Sequence, residues 1–233
     1  MLKRTFDVVV SSVFLVILSP LMALVALIIR QKSPGPSIYK AKRMGLTVEE
    51  FTLYKFRSMH LESHQSSTIT AANDDRVFPF GKFLRVTKID QHPQLWNILK
   101  GEMALVGPRP EDPAIVEEHY TLEQLRTLEV LPGLISPGSI FNYTHGEAML
   151  DDSDPEGSYI EKLLPVKLSL EMFYVERASL IYDIRLLFRT AFVLLTRAIG
   201  RRKFREPPES RLVKREPDWM VSKSPFHERV TVR

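Results

Sequence analysis

The chain has 233 residues, 44% of them hydrophobic, with a formal net charge of +4 at pH 7 and no cysteine. This composition excludes a disulfide framework and a thiolate zinc site, and the length suffices for one hydrophobic core besides a membrane segment. Basic residues cluster at the N-terminal end and between Arg197 and Arg215, which favours anionic membrane lipid as a partner, whereas no helix-turn-helix or zinc-finger signature indicates nucleic acid.

The first predicted element is an uncharged apolar segment from Val8 to Ile29. As a straight helix it would be about 33 Å long, close to the thickness of a hydrocarbon core. Ser19-Pro20 interrupts it, and proline kinks a helix. Lysine and arginine flank the segment on both sides, although they mark only the cytoplasmic side of a span. We therefore predict a membrane-inserted, re-entrant helix over residues 1–32, with a membrane break at Ser19 and Pro20; a spanning helix and a buried core helix are the alternatives.

A cytoplasmic domain is predicted over residues 33–205. Two β-prone stretches, Ser37–Lys40 and Phe51–Phe56, lie on either side of Met44-Gly45 and predict a small β-hairpin. The polar stretch at positions 60–76 predicts a loop. A short helix is predicted from Pro93 to Lys100, with Gly101 as its stop.

Helix signals then dominate the rest of this domain. Asp112 before Pro113 predicts a helix N-cap, and Thr121 with Gln124 predicts a capping box. The apolar stripe from Ile184 to Ala198, bordered by arginines, predicts an amphipathic helix that is either interfacial or core-facing. Residues 206–233 contain four prolines and mixed charge, which predicts a disordered tail. The predicted fold class is α+β and helix-dominated, with interfacial amphipathic helices.

Asp90 is the first candidate for chemistry. It precedes the short predicted helix, where the helix dipole favours a negative charge. An ionised carboxylate in such a place can ligate Mg²⁺ or attack a phosphorus atom. An ordinary helix-capping aspartate is the alternative.

Basic side chains near Asp90 in the sequence are candidates for binding a diphosphate. Arg109 lies in the rigid sequence Gly107-Pro108-Arg109-Pro110, which suits bidentate phosphate binding. A solvated surface charge is the alternative for each of them. No Gly-x-Gly-x-x-Gly or Walker-type loop is present, so a nucleotide must be bound in another way. The candidate phosphate-binding residues are Lys55, Arg57, Arg76, Arg85 and Arg109.

Several motifs occur in a fixed order along the chain. They are Lys3-Arg4-x-x-Asp7, Ser19-Pro20, Gly35-Pro36, Lys55-Phe56-Arg57-Ser58-Met59, Leu84-Arg85, Pro132-Gly133 and Leu164-Pro165-x-Lys167. The most specific stretch is Asp90-x-x-Pro93-Gln94-Leu95-Trp96-Asn97-Ile98-Leu99-Lys100-Gly101-Glu102-Met103, which runs on into Val106-Gly107-Pro108-Arg109-Pro110. With these motifs the chain resembles the bacterial sugar transferase family, the monotopic polyprenyl-phosphate phosphoglycosyl transferases, and looks like a small, catalytic-core member.

The resemblance implies an activity, a cofactor and a location. Members move a phosphosugar from a nucleotide diphosphate sugar, here expected to be a UDP-sugar, to a polyprenyl phosphate such as undecaprenyl phosphate, and release a nucleoside monophosphate. This is the initiating membrane step of exopolysaccharide, O-antigen or glycoprotein glycan synthesis. The resemblance also implies Mg²⁺, and a catalytic domain on the cytoplasmic face of the bacterial inner membrane.

An Asp-Glu pair serves the family's chemistry, and here it reads Asp90-Gln91. The resemblance makes Asp90 the nucleophile and the Mg²⁺ ligand, with Gln91 as the second catalytic position. Glutamine can offer an amide oxygen but cannot carry a negative charge. Glu102 could supply the missing charge. The alternative function is therefore a catalytically impaired, membrane-bound relative that acts as a binding or assembly partner.

Overall fold

A computed structural model describes residues 2–61, 74–201 and 203–213. The helices are α1 (Leu2–Lys32), α2 (Pro79–Thr87), α3 (Gln94–Lys100), α4 (Pro113–His119), α5 (Pro137–Thr144), α6 (Pro155–Ser158), α7 (Leu164–Arg177), α8 (Leu180–Ala198) and α9 (Pro208–Val213). The strands are β1 (Ile38–Met44), β2 (Glu50–Phe56), β3 (Ala104–Val106) and β4 (Gly133–Ile135). The predicted helix-dominated α+β class, the apolar N-terminal helix and the small hairpin are confirmed.

Helix α1 is continuous through Ser19 and Pro20 and is long and apolar enough to cross a membrane. Its N-terminal turn is tied to the rest of the chain by charged side chains. Arg4 donates to the backbone carbonyl oxygens of Ile98 (2.6 Å) and Leu99 (3.1 Å), and the Asp7 carboxylate accepts the N–H of Leu105 (3.3 Å).

The C-terminal end of α1 packs on the same domain. Val25 and Ile29 are buried in a cluster with Phe56, Phe78 and Leu84. Between the two ends, one face of the helix lies against the domain, whereas the opposite face is exposed and apolar. The exposed apolar residues are Val9, Val13, Phe14, Val16, Ile17, Leu21, Leu24 and Leu27.

The β-hairpin and α3 form the frame of the domain. Strands β1 and β2 pair antiparallel from Ile38↔Phe56 to Met44↔Glu50. The buried Asn97 side chain of α3 accepts the N–H of Tyr54 (3.1 Å) and donates to the carbonyl of Thr52 (2.7 Å), which fixes α3 to the hairpin. The predicted stop is confirmed, because Gly101 ends α3 in the left-handed region at φ 89°.

Two glycines bring the short strands together. Strand β3 pairs parallel with β4, with Ala104 opposite Gly133. A Cβ at Gly133 would lie 2.1 Å from the backbone nitrogen of Gly107, and a Cβ at Gly107 would lie 2.4 Å from the carbonyl oxygen of Leu131. Only glycine permits the two backbones to approach so closely. Their contact fixes the position of the chain directly before Arg109.

The predicted caps are confirmed. The Asp112 side chain accepts the N–H of Ala114 (3.2 Å) at the start of α4. Thr121 and Gln124 exchange hydrogen bonds of 2.9 and 3.2 Å, as in a capping box, although the segment they begin is a 3₁₀ turn, Gln124–Leu128.

Residues 208–213 depart from the predicted disordered tail. Helix α9 packs on α7 and buries Glu209, whose carboxylate accepts from Tyr182 (2.8 Å) and from Arg189 (2.9 and 3.0 Å). A carboxylate paired in this way orders a segment that has few apolar residues. The prediction of disorder is therefore wrong for residues 208–213, whereas 214–233, and most of the predicted loop at 60–76, lie outside the described residues.

Candidate active site

A cavity of about 250 Å³ lies between the hairpin, the turn before α3, the segment after β3, and helices α5 and α7. Most of its lining side chains are polar. Its lining residues are Arg43, Leu53, Lys55, Arg85, Lys88, Asp90, Gln91, Arg109, Pro110, Glu111, Ser139, Asn142, Tyr143, Leu150, Tyr159, Leu163 and Lys167. Five of the predicted site residues therefore meet here: Lys55, Arg85, Asp90, Gln91 and Arg109.

Asp90 lies in the 3₁₀ turn Ile89–Gln91 that joins α2 to α3. Its side chain is buried, and its Oδ1 atom has no hydrogen-bond partner among the described residues. Burial raises the pKa of the Asp90 carboxyl, and the positive charges of Lys88, Lys55, Arg85 and Arg109 act in the opposite direction. A buried carboxylate without a donor, held among cations, is ready to react with an anionic electrophile.

Three cations approach Asp90 without an acceptor of their own. Within the described ranges, the side chains of Lys55, Arg85 and Lys88 make no hydrogen bond or ion pair. Lys55 Nζ lies 5.0 Å from the ring centroid of Tyr39. Burial, followed by the charge of Arg43, lowers the pKa of Lys55 to about 8, and burial also lowers the pKa of Arg85. Cations that are partly stripped of water and lack a partner are suited to bind phosphate.

In the part of the chain that the structure describes, the Arg109 side chain is held by neutral oxygens only. Its Nη1 atom donates to Gln94 Oε1 (3.0 Å) and to the carbonyl of Leu134 (3.3 Å). The guanidinium is therefore oriented but not neutralised, and its remaining N–H groups are available to a phosphate.

A buried ionic cluster forms another wall of the cavity. Lys167 Nζ donates to the Glu111 carboxylate (2.8 Å), and the Tyr159 hydroxyl bonds to both. The Lys167 charge and these hydrogen bonds outweigh burial and lower the pKa of Glu111. Both charges of this cluster are satisfied within the protein, in contrast to those around Asp90.

Gln91 is only loosely held. Both of its amide atoms lie 3.5 Å from the hydroxyl of Tyr143. Lys88 Nζ lies 4.2 Å from the ring centroid of the same tyrosine. Tyr143 therefore connects Gln91 to Lys88 in the wall next to Asp90.

Behind Arg109, Glu171 is buried with only one of its oxygens bonded. Oε1 accepts from Ser136 Oγ (2.6 Å) and from the N–H of Arg109 (3.4 Å), whereas Oε2 has no partner among the described residues. Burial raises the pKa of Glu171 from its ordinary 4.5 to about 7.

This raised pKa predicts a loss of stability with rising pH. Between about pH 4.5 and 7 the folded state keeps a proton on Glu171 that the unfolded state has lost, so the free energy of unfolding falls as pH rises. We expect wild type to lose up to about 3 kcal/mol between pH 5 and pH 8 that Glu171→Gln does not lose. Thermal unfolding of both proteins in detergent at the two pH values measures this, and parallel pH profiles would contradict it.

The structure does not bring Arg57 and Arg76 to the cavity. Arg57 is buried and donates to the carbonyl oxygens of Ser33 and of Pro34 (2.9 Å), where it supports the end of α1. Arg76 forms an ion pair with Asp74, with Nη2 2.6 Å from Oδ2. Glu102 also lies elsewhere, bonded to Asn97 (2.7 Å) and Lys100.

Several residues of the cavity were not assigned from the sequence. Lys88 and Arg43 line the cavity but are not among the predicted phosphate-binding residues. Distant helical segments contribute four more residues, Asn142, Tyr143, Tyr159 and Lys167. Of these, only Lys167 lies in one of the sequence motifs, Leu164-Pro165-x-Lys167. No local pattern identifies the others, because tertiary packing alone places them beside Asp90.

The donors near Asp90 do not suit Mg²⁺. This ion prefers several oxygen ligands, usually carboxylates with phosphates and water. Asp90 offers one carboxylate and Gln91 one neutral amide, while Glu111 is used by Lys167 and Tyr159. Among the described residues, no group of three or more histidine, cysteine or acidic side chains could hold a metal ion. Mg²⁺ stays a prediction that these donors do not favour.

Comparison with known proteins agrees with this geometry. The profile of the family described as "Bacterial sugar transferase" matches residues 1–197. A UDP-glucose:undecaprenyl-phosphate glucose-1-phosphate transferase of Klebsiella pneumoniae is 33% identical over 193 residues, which are 82% of this chain and 39% of that protein. A transferase of the same name in Caulobacter vibrioides is 32% identical over 198 residues, or 83% of this chain and 70% of the relative.

A third relative is similar in length. The "Exopolysaccharide production protein PSS" of Rhizobium leguminosarum bv. phaseoli is 31% identical over 206 residues, covering 85% of this chain and 98% of that protein. The chain spans about two fifths of the length of the Klebsiella relative. None of these three relatives is named as a binding or assembly partner.

Proposed function

Because the chain belongs to the bacterial sugar transferase family, we propose that it transfers a sugar phosphate from a nucleotide diphosphate sugar to a polyprenyl phosphate and releases a nucleoside monophosphate. One observation carries this proposal. The buried carboxylate of Asp90 shares a cavity with four cations, Lys55, Arg85, Lys88 and Arg109. Among the described residues, the side chains of the first three have no acceptor, and that of Arg109 has only neutral ones. A diphosphate supplies both the missing acceptors and an electrophilic phosphorus.

The reaction runs in two displacements. An Asp90 oxygen bonds to the sugar-proximal phosphorus, and the bond from that phosphorus to the bridging oxygen breaks, so that the nucleoside monophosphate leaves with the electron pair. An oxygen of the lipid phosphate then attacks the same phosphorus, and the bond to Asp90 breaks. The cations hold the phosphates in line and offset the charge of the departing oxygen, which is where most of the catalysis in phosphoryl transfer arises.

The substrates follow from the relatives. Two of them are named for UDP-glucose and undecaprenyl phosphate, and one for exopolysaccharide production. We propose a UDP-sugar as donor, undecaprenyl phosphate as acceptor, and the initiating step of exopolysaccharide or related glycan synthesis as the role. The alternative of a silent assembly partner gains no support from these names.

A direct assay tests the proposed activity. The purified protein is incubated with undecaprenyl phosphate and a panel of UDP-sugars, and nucleoside monophosphate release is measured. With at least one donor we expect repeated release in the presence of the lipid phosphate, and no more than about one equivalent per protein when the lipid is omitted. Binding of a UDP-sugar without release of nucleoside monophosphate, across the panel, would favour the silent partner.

The contacts of α1 support a re-entrant helix. A straight helix of 31 residues is about 46 Å long, so a span would carry one end far from the domain. Here Arg4 near one end and Ile29 near the other both contact the same domain. The helix enters and leaves the same leaflet, and its exposed apolar face contacts the acyl chains.

Helix α8 gives the domain a second apolar surface. Its inner side buries Leu186 and Val193, and its outer side exposes large apolar residues together with Arg185. An exposed apolar face with arginines at its border is suited to the headgroup region of a membrane. We place this face on the cytoplasmic side of the bacterial inner membrane, in contact with anionic lipid. The exposed apolar residues of α8 and its end are Ile181, Phe188, Phe192, Leu195 and Ile199.

The re-entrant helix predicts that both of its ends are cytoplasmic. The chain has no cysteine, so Leu2→Cys and Lys32→Cys each provide a single label site. In intact cells, a membrane-impermeant thiol reagent should label neither, and both should be labelled after permeabilisation. Glu156→Cys, at an exposed position of the domain, is the matched cytoplasmic control. Labelling of either end from outside would contradict the re-entrant helix.

A further inference from the structure

The charges around Asp90 are strongly unbalanced. Arg43 and Lys167 line the cavity but are paired, with Asp112 at 2.7 Å and with Glu111 at 2.8 Å. The four remaining cations, which are Lys55, Arg85, Lys88 and Arg109, face the single carboxylate of Asp90. This excess positive charge is present before any substrate binds.

Lys88 has the most unusual backbone of these cations. It lies between α2 and the 3₁₀ turn in the left-handed region, at φ 59° and ψ 16°. A non-glycine residue there costs about 1 kcal/mol or more, and glycine would relieve that cost. The turn brings the side chains of Lys88 and Asp90 to the same cavity, two positions apart. Because glycine at this position would avoid the strain, the presence of lysine indicates that the Lys88 side chain has a role.

The Lys88 ammonium has no anionic partner among the described residues. It lies 4.2 Å from the ring centroid of Tyr143 and makes no hydrogen bond or ion pair within the described part of the chain. Of the charges that oppose the burial of Asp90, that of Lys88 acts most strongly. An ammonium that lines the same cavity as the nucleophile is placed to contact the phosphoryl group that the nucleophile attacks.

The same charges oppose a divalent cation. A diphosphate diester carries about one negative charge per phosphate at neutral pH. Together with Asp90, these charges do not exceed the four cations already present. Adding Mg²⁺ would leave a large positive excess in a site of low dielectric, where repulsion between like charges is strong. Gln91 provides no carboxylate that would reduce this excess.

We propose that Lys88 is a further catalytic residue that takes the place of a divalent cation in this chain, so that sugar-phosphate transfer proceeds without Mg²⁺. This inference rests on the proposed function. As the bond from Asp90 to the sugar-proximal phosphorus forms and the bond to the nucleoside monophosphate breaks, the ammonium of Lys88 stays protonated. It stabilises the negative charge on the oxygens of the transferred phosphoryl group, and no proton moves.

Four variants test this proposal beside wild type. Lys88→Met keeps the length of the side chain and removes its charge, whereas Lys88→Arg keeps the charge. Gln91→Glu adds the carboxylate that Mg²⁺ would need, and Lys88→Met with Gln91→Glu combines the two changes. Lys100→Met is the matched control, because Lys100 Nζ also lies over a tyrosine ring, 5.7 Å from the centroid of Tyr54, but outside this cavity.

Nucleoside monophosphate release is measured with a chelator and with added Mg²⁺. We expect wild type, Lys88→Arg and Lys100→Met to be insensitive to the chelator within about twofold. The loss of one charge-assisted contact should slow Lys88→Met by about tenfold to a hundredfold. The double variant should recover on addition of Mg²⁺. A loss of more than about tenfold by wild type in chelator, or an undiminished metal-free rate in Lys88→Met, would overturn the proposal.

Binding separates this inference from the proposed function. The affinity for a UDP-sugar is measured with and without a chelator, and bound Mn²⁺ is followed by electron paramagnetic resonance. Metal-independent binding that weakens about tenfold in Lys88→Met, and Mn²⁺ binding only in the double variant, support the proposal even if no protein turns over. Mn²⁺ bound to wild type with the UDP-sugar overturns the proposal even if transfer is established.

Discussion

Replacing Asp90 by asparagine is expected to lower sugar-phosphate transfer by at least about a thousandfold, because an amide is a poor nucleophile and cannot form the phosphorylated intermediate. Wild-type protein incubated with a UDP-sugar labelled in the sugar should retain the label covalently when the lipid phosphate is omitted. Asp90→Asn should retain none. Nucleoside monophosphate release and mass spectrometry of the intact protein measure the two effects.

The control for Asp90→Asn is substrate binding. Removing a negative charge from beside the diphosphate removes a repulsion, so the variant should bind the UDP-sugar at least as tightly as wild type. Asp75→Asn, at an exposed aspartate outside the cavity, should transfer at the wild-type rate. Undiminished labelling or turnover in Asp90→Asn would assign the nucleophile to another residue.

Arg109→Ala is expected to lower kcat/KM for the UDP-sugar by about a hundredfold. Gln94 and the Leu134 carbonyl orient the guanidinium, at 3.0 and 3.3 Å from Nη1, so the side chain loses little freedom when it binds a phosphate. Each charge-assisted hydrogen bond is worth roughly 1.5–3 kcal/mol. Steady-state kinetics with varied UDP-sugar measure the loss.

Two further variants interpret Arg109→Ala. Arg109→Lys keeps the charge but not the planar fork, and should recover only part of the loss if Arg109 binds phosphate with two N–H groups. Arg126→Ala removes a partly exposed arginine that pairs only loosely with Glu123, at 3.8 Å, and should have no effect. Equal rates for Arg109→Ala and wild type would exclude a phosphate-binding role for this residue.

Local signals in the sequence predicted much of the frame of the site. The hairpin, the stop at Gly101 and the cap at Asp112 depend on residues within a few positions of each other, and each is confirmed. The positive charge of a residue was a poorer guide to whether its side chain lines the cavity. Arg57 lies two positions after Lys55, where strand alternation would place both side chains on the same face. It follows the last residue of β2, however, and its side chain is buried under the end of α1, which is a long-range feature.

Other features could not be read from the sequence at all. The order of α9 depends on the pairing of Glu209 with Arg189 and Tyr182, which precede it by about one helix length. Lys88 has no ion-pair partner among the described residues. The sequence could not predict this, because it depends on which acids pair with other cations in the fold. Glu111 and Asp112, for example, neutralise Lys167 and Arg43 instead.

The hydrogen bonds at the N-terminus of α1 have a practical consequence for work with this protein. Arg4 contacts the last turn of α3, and Lys3 donates to the carbonyl of Val106 (3.0 Å), directly before the segment that carries Arg109. The apolar helix α1 is thus a structural support of the cavity that contains Asp90 and not a detachable anchor. Deleting α1 to obtain a water-soluble fragment would remove the hydrogen bonds that support α3 and the segment after β3 on either side of the cavity. Bilayer thickness and the choice of detergent belong among the variables of any kinetic measurement.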